Sequence, residues 1–136
     1  MPTGWACAGA APAADVAHDL TTATYEDETA LRSFAASVDV VTYEFENVPV
    51  DAALYLARSL PVFPPPKALE VSQDRVTEKT FLNGCGIETA RFHAIDSQAD
   101  LERALADFSG QGVLKTRRLG YDGKGQRVFR GACDDT

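Results

Sequence analysis

The stretch KTRRLGYDGKGQ, Lys115 to Gln126, puts a lysine at the end of an apolar run, then a basic turn, then a loop carrying Gly120, Gly123 and Gly125. Glycines lack a Cβ, so a ligand can come close to their backbone N–H groups. Successive N–H groups aimed into one concavity attract an anion. Lys115 follows Gly112, Val113 and Leu114, a predicted strand that would aim its ammonium at a fixed point, and Lys124 adds a second cation within the loop. Backbone donors combined with point charges suit a polyphosphate. The spacing is not Walker A, which requires GxxxxGK followed by Ser or Thr. Nor is it a dinucleotide turn opening a helix, because Arg127 to Arg130 reads as a second strand. The pattern predicts a glycine loop between two antiparallel strands, lying over phosphates. A plain solvated Gly-rich hairpin is the alternative.

Charge favours the phosphate loop. The 136-residue chain has a net charge of -7, yet Lys115, Arg117, Arg118, Lys124, Arg127 and Arg130 are six of its 13 Lys and Arg, opposed nearby in sequence only by Asp122. A basic cluster on an acidic chain focuses anions locally. The overall charge and the scarcity of interleaved aromatics argue against nucleic acid as partner.

Working outward, Ser97 and Asp100 form a capping box for a helix whose Leu101, Ala104, Leu105 and Phe108 repeat at helical spacing. Before it, Ile87 to Ala94 reads as a strand, and Asp74 to Asn83 as a helix capped by Ser72 and closed by Gly84, with Val76, Thr80 and Phe81 toward the core. Arg75 and Lys79, four residues apart, share another face of that helix, within reach of a phosphate or solvated.

Pro64-Pro65-Pro66 reads as a stiff extended linker and candidate boundary. Upstream, Asp27 caps a helix whose Ala30, Leu31, Phe34 and Ala35 share a face. Val38 to Phe45 reads as a strand, Asn47-Val48-Pro49 opens a helix, and Pro61-Val62-Phe63 is a further strand, an α/β rhythm. Ligands in such folds sit at the carboxyl ends of strands, the place of Glu44, Glu46 and Asn47, although capping by Asn47 and solvent-facing glutamates explain them as well. A short extended piece is expected at Asp19 to Ala23. Residues 1–15 are Ala-rich without a period and are expected to be disordered or an altered remnant.

No apolar run approaches the roughly 20 residues that span a bilayer, and the N-terminus lacks a signal-peptide pattern. Cys7, Cys85 and Cys133 are too scattered for a disulfide framework or a zinc site. Cys85 reads as a small core residue, and His18 and His93 as surface or packing histidines. A reducing, cytoplasmic setting is expected.

The segments DVVTYEFENVP (39–49), ALEVSQDRVTEKTFLNGCGIETARF (68–92) and VLKTRRLGYDGKGQ (113–126) together resemble the ATP-grasp enzymes, and among them the N5-carboxyaminoimidazole ribonucleotide synthase family. Tyr121-Asp122 favours this carboxylase over a related formyl-transferring family with a serine-rich loop before GKGQ. The resemblance covers roughly residues 16–131. It implies an α/β chain, with a partial pre-ATP-grasp (Rossmann-like) domain at 16–73 followed by the first α+β lobe of an ATP-grasp domain at 74–136.

The implied reaction joins bicarbonate to aminoimidazole ribonucleotide at the expense of ATP, giving the N5-carbamate, ADP and phosphate through a carboxyphosphate intermediate. Such an intermediate is short-lived in water, so water must be excluded and the amine held close. The resemblance implies nucleotide contacts from Arg75 and Lys115, and a loop of Gly120, Tyr121, Asp122, Gly123, Lys124, Gly125 and Gln126 over the β- and γ-phosphates. Tyr121 and Asp122 are the implied catalytic pair facing the amine, with Asp122 orienting it. An ordinary turn residue paired with Arg118 is the alternative for Asp122.

The family's opening strand and Gly-rich turn have no counterpart in residues 1–15. Its second lobe, with the adenine hinge, the Mg²⁺ ligands and the substrate-phosphate site, has none after Arg130, so no metal ligands are expected in this chain. The expectation is an internal fragment, inactive alone, of a homodimeric enzyme. A non-catalytic nucleotide-binding module and another ATP-grasp carboxylate–amine ligase are the other readings.

Overall fold

A computed structural model describes residues 15–120 and 124–131, together with the backbone of residues 4–7. The chain divides into two compact units, residues 1–70 and 71–136.

In the first unit two parallel strand pairs form. Strand β1 (Gly4–Cys7) pairs with β2 (Asp19–Thr22) in the register Gly4↔Asp19 to Cys7↔Thr22. The β2 expectation holds, and β1 shows that Gly4–Cys7, within the stretch expected to be disordered or an altered remnant, is a strand. Gly and Ala are poor strand formers by propensity, and what makes this segment a strand is a non-local ladder that local composition does not reveal. Helix α1 (Glu28–Ser37) starts where expected, with the Asp27 carboxylate accepting from the Thr29 and Ala30 amides at 3.0 Å each. Its apolar face buries Leu31 and Phe34 against Val41, Ala52, Leu56 and Val62. Each large aliphatic or aromatic side chain so buried contributes about 1.5–3 kcal/mol.

Strand β3 (Val41–Thr42), helix α2 (Val50–Leu56) and strand β4 (Val62–Phe63) make a β-α-β crossover, with Val41↔Val62 and Thr42↔Phe63 in register. The strand expected over Val38–Phe45 is thus only two residues long. Its ladder stops because Pro64, next along β4, has no N–H to donate; Tyr43 instead donates its hydroxyl to the Pro65 carbonyl at 3.2 Å. Asn47 does not cap α2. Pro49 occupies the cap position, without a side-chain hydrogen bond.

The three prolines are not an extended linker either. The Phe63–Pro64 peptide is cis, and Pro66 opens helix α3 (Pro66–Ser72). The fixed φ of proline suits a helix's first position, where no N–H is needed.

The second unit holds helix α4 (Arg75–Gly84), helix α5 (Gln98–Asp107) and an antiparallel hairpin, β5 (Gln111–Lys115) with β6 (Gln126–Arg130). The hairpin is as expected. The cap of α4 is Asp74 rather than Ser72, because α3 runs through Ser72 and leaves Asp74 as the extended residue before the helix. No residue of α4 is fully buried; Val76 is half-buried, while Thr80 and Phe81 are exposed, as is Cys85, against expectation.

Ile87–Ala94 forms no strand. Its backbone groups bond to α4 instead: the Ile87 amide donates to the Leu82 carbonyl, the Thr89 amide to the Asn83 side chain, and the Lys79 ammonium to the Ala90 carbonyl at 3.0 Å. These local bonds satisfy groups that a ladder would otherwise claim. Helix α5 is capped by Ser97, whose hydroxyl accepts from the Asp100 amide, and it buries Ala104.

Candidate phosphate-binding site

The β5–β6 hairpin fixes both ends of the loop. Lys115 pairs with Gln126, and the Thr116 amide then donates to the Gly125 carbonyl at 2.9 Å, extending the ladder one residue into the loop. Side chains alternate across a strand, so Lys115 shares the more exposed face with Gln111 and Val113. Gly112 and Leu114 point to the other. Among the described residues the Lys115 ammonium has no carboxylate or carbonyl partner.

Thr116 occupies the neck of the loop. A Cβ on Gly120 would lie 2.8 Å from the Thr116 hydroxyl oxygen. One on Gly125 would lie 2.8 Å from the same oxygen and 2.9 Å from the threonine methyl. Gly125 also has φ +68°, in the left-handed region where a side chain is strained. Both glycines are therefore required for the chain to close around Thr116.

The first limb of the loop, Arg117 to Gly120, is fastened to the residues that open α4. Arg117 donates to both carboxylate oxygens of Asp74, at 2.9 and 3.1 Å. Its carbonyl accepts from the Arg75 amide at 3.0 Å. Arg118 donates to the buried Gln73 side chain, and Arg75 donates to the Gly120 carbonyl at 3.0 Å. Asp74 also accepts from the Val76 and Thr77 amides at 3.0 Å each. The hydrogen bond from Arg117 holds the Asp74 carboxyl below the ordinary carboxylate range, and the same pairing pushes Arg117 up.

The first N–H groups of α4 are thus all taken, by Asp74 and by the Arg117 carbonyl, so this helix terminus offers no donor to an anion. The six-cation cluster is correspondingly smaller than the sequence implies. Arg117 is neutralised by Asp74, Arg118 is held by an amide, and Arg127 lies over the Phe129 ring, 5.1 Å from its centroid. Asp74, distant in sequence, opposes a cation that had only Asp122 for company in the primary structure.

Of the candidate nucleotide contacts, Arg75, Lys115 and Gly120 come together with Lys124, Gly125 and Gln126 around this neck. Tyr121, Asp122 and Gly123 lie outside the described residues. Arg75, Lys79, Lys115 and Arg117 also line a cleft of about 710 Å³, whose apolar wall includes Phe92 and Leu105. His93 sits 2.8 Å from Asp107, which also receives Arg91 at 2.7 Å, and tilts onto Phe108; it is a surface pair, in line with the sequence reading. Among the described residues no group of three His, Cys, Asp or Glu side chains is arranged to hold a metal ion.

Residues 5–73 match the ribonucleotide synthetase preATP-grasp domain, and residues 80–135 match the ATP-grasp domain. The chain belongs to the ATP-grasp ribonucleotide synthetases. The resemblance read from three segments of sequence is borne out, and so is the fold class. The N5-carboxyaminoimidazole ribonucleotide synthase of Brucella melitensis is 58% identical over 125 residues, which cover 92% of this chain and 34% of that protein. The crystal structure of the synthetase from Thermus thermophilus superposes with a TM-score of 0.84 at 42% identity, over 97% of this chain and 35% of that one. The ADP complex of the Staphylococcus aureus enzyme does so at 0.82 and 34%, over 89% and 32%. The chain spans about a third of the length of the curated relatives it matches. The preATP-grasp match, beginning at residue 5, also takes in part of the segment that had no counterpart by motif.

Asp74, Gln73 and Thr116 were missed by sequence reasoning. Asp74 carried a signal, since Asp before Arg-Val-Thr is itself a good N-cap. Thr116 carried none, because its role depends on two glycines closing around it.

Proposed function

We propose that this chain is the part of an N5-carboxyaminoimidazole ribonucleotide synthase that holds the phosphates of ATP. In this reading residues 16–73 are part of the pre-ATP-grasp domain and residues 74–136 the first part of the ATP-grasp domain. The whole enzyme transfers the γ-phosphoryl group of ATP to bicarbonate. The amine of aminoimidazole ribonucleotide then attacks the activated carbon and expels phosphate, giving the N5-carbamate and ADP. The observation that carries the reading is Lys115, unpartnered among the described residues, at the mouth of a glycine-necked hairpin loop, in a chain 58% identical to a synthase of that name.

The residues present suit a polyphosphate. Lys115 and Lys124 supply point charges, and the glycines let N–H groups approach. In this assignment Arg75, Lys115 and Gly120 to Gln126 contact the nucleotide, while Tyr121 and Asp122 face the amine. Mg²⁺ accompanies the nucleotide, with ligands from the second lobe. The enzyme is a cytoplasmic homodimer. No helix among the described residues is long and apolar enough to cross a membrane.

The test joins this chain to the part of the Brucella melitensis relative that it does not cover, and measures ADP release. Release should require both bicarbonate and aminoimidazole ribonucleotide. Lys115→Ala should lower kcat/KM for ATP by about 100-fold or more, the scale of removing one preorganised charge donor. ADP release indifferent to the amine, or to Lys115→Ala, would sink the reading.

A further inference from the structure

We propose that Asp74 is a positioning residue for nucleotide binding: through Arg117 it locks the limb Arg117–Gly120, and so presets Arg75 and Lys115 for the phosphates. The proposal rests on the phosphate-binding reading above and adds a residue that touches no phosphate itself.

Four observations carry it. The Asp74 carboxylate is only 18% exposed and engages Arg117 through two parallel hydrogen bonds, the planar fork geometry that fixes direction as well as distance. The bond from the Arg75 amide to the Arg117 carbonyl and that from the Arg75 guanidinium to the Gly120 carbonyl close a ring from α4 through the limb and back. The limb also contains Leu119 at φ +59°, a strained angle for a non-glycine residue, with its side chain 71% exposed. Such strain persists where the surroundings over-determine the backbone, and an exposed leucine supplies no packing that would do so. The pins on either side, at Arg117, Arg118 and Gly120, supply it. Finally, pairing with Asp74 removes Arg117 as a competitor for the phosphates, so that Lys115 keeps the approach. A preset limb spares the nucleotide the cost of ordering it.

Asp74→Asn separates this role from helix capping. Asparagine caps as well as aspartate, so α4 keeps its acceptor for the Val76 and Thr77 amides while the anionic fork to Arg117 is lost. Two measurements are made. Hydrogen exchange on the 136-residue chain should accelerate about tenfold or more in residues 116–120, with residues 77–84 within about twofold of the parent. In the chain completed as above, KM for ATP should rise about tenfold with kcat within about threefold, and Asp74→Asn/Arg117→Gln should be no worse than Asp74→Asn alone, as for residues acting through one interaction.

Unchanged exchange in 116–120, multiplying effects in the double variant, or an unchanged KM for ATP in an active parent each overturn the proposal. A completed parent with no ATP turnover overturns the functional reading and takes the positioning role with it, while the exchange data still report whether the limb is clamped.

Discussion

Gly125→Ala tests the geometry of the loop neck with a single methyl group. The added Cβ would meet the Thr116 hydroxyl oxygen at 2.8 Å and its methyl carbon at 2.9 Å, at a residue with φ +68°. Two costs follow. Holding a non-glycine residue in the left-handed region costs about 1–2 kcal/mol. Forcing a carbon into an occupied space costs a further ~1–3 kcal/mol. The hairpin should therefore open more easily by about 2–5 kcal/mol, and 2 kcal/mol alone is a factor of about 30 in the opening equilibrium.

The two costs separate. Thr116→Ala removes both clashing atoms and leaves the Thr116 Cβ at 3.5 Å, an ordinary contact. In the Gly125→Ala/Thr116→Ala variant only the backbone term remains, so about 1–3 kcal/mol should be recovered. Thr116→Ser keeps the nearer oxygen and should recover less. Hydrogen exchange of residues 111–116 and 126–130 reads this opening directly, without assuming that the two units unfold together. If Gly125→Ala exchanges within twofold of the parent, or if Thr116→Ala restores nothing, Thr116 does not fill the neck and the argument for the two glycines fails.

Leu119→Gly should leave the loop stem as stable or up to about 1 kcal/mol more stable, because relief of the positive φ outweighs the greater freedom of unfolded glycine; slower or equal exchange at 116–120 is the expected result, and faster exchange would refute the strain. Ser97→Ala should cost about 1 kcal/mol, felt mainly in α5, since the hydroxyl accepts from the Asp100 amide; exchange across residues 98–107 measures it.

Acid should weaken the second unit. Asp74, Asp100 and Asp107 are all held below the ordinary carboxylate range, chiefly by Arg117, the Ser97 hydroxyl and His93 respectively. A depressed folded-state pKa contributes stability that is complete above the unfolded value, about 3.9, and lost as pH falls through the folded value. Urea midpoints for residues 71–136 should accordingly be little changed by these groups between pH 7 and 5 and fall below about pH 4. Asp74→Asn should reduce that fall, and an equal fall in the variant would count against the Arg117 pairing.

What could be read from the chain divides along a physical line. The helices at Asp27, Ser97 and Pro49, the hairpin around Lys115 and the β-α-β crossover rest on local signals, namely caps, helical spacing and glycine placement. These were legible. The misread segments are those whose state depends on backbone partners that residue pattern does not reveal. Gly4–Cys7 becomes a strand only by pairing with Asp19–Thr22. Val38–Phe45 has the alternation of a long strand but only two residues of partner before Pro64. Ile87–Ala94 has strand-like residues and commits its backbone bonds to α4 instead.

The same division runs through the site. Adding charges along Lys115–Arg130 gives a cluster of six cations, and the sum is correct for the sequence. The functional quantity is how many remain uncommitted after folding. Arg117 is answered by a carboxylate 43 residues upstream and Arg118 by an amide 45 residues upstream. In the proposed reading the pair Asp74–Arg117 turns a nominal phosphate ligand into a strut and leaves Lys115 for the phosphates. This predicts an ordering that charge counting does not. In the completed chain, Lys115→Ala should weaken ATP binding more than Arg118→Ala, and Arg117→Ala should act like Asp74→Asn rather than like Lys115→Ala. Equal losses for all three cations would restore the simple electrostatic cluster and remove the case for a strut.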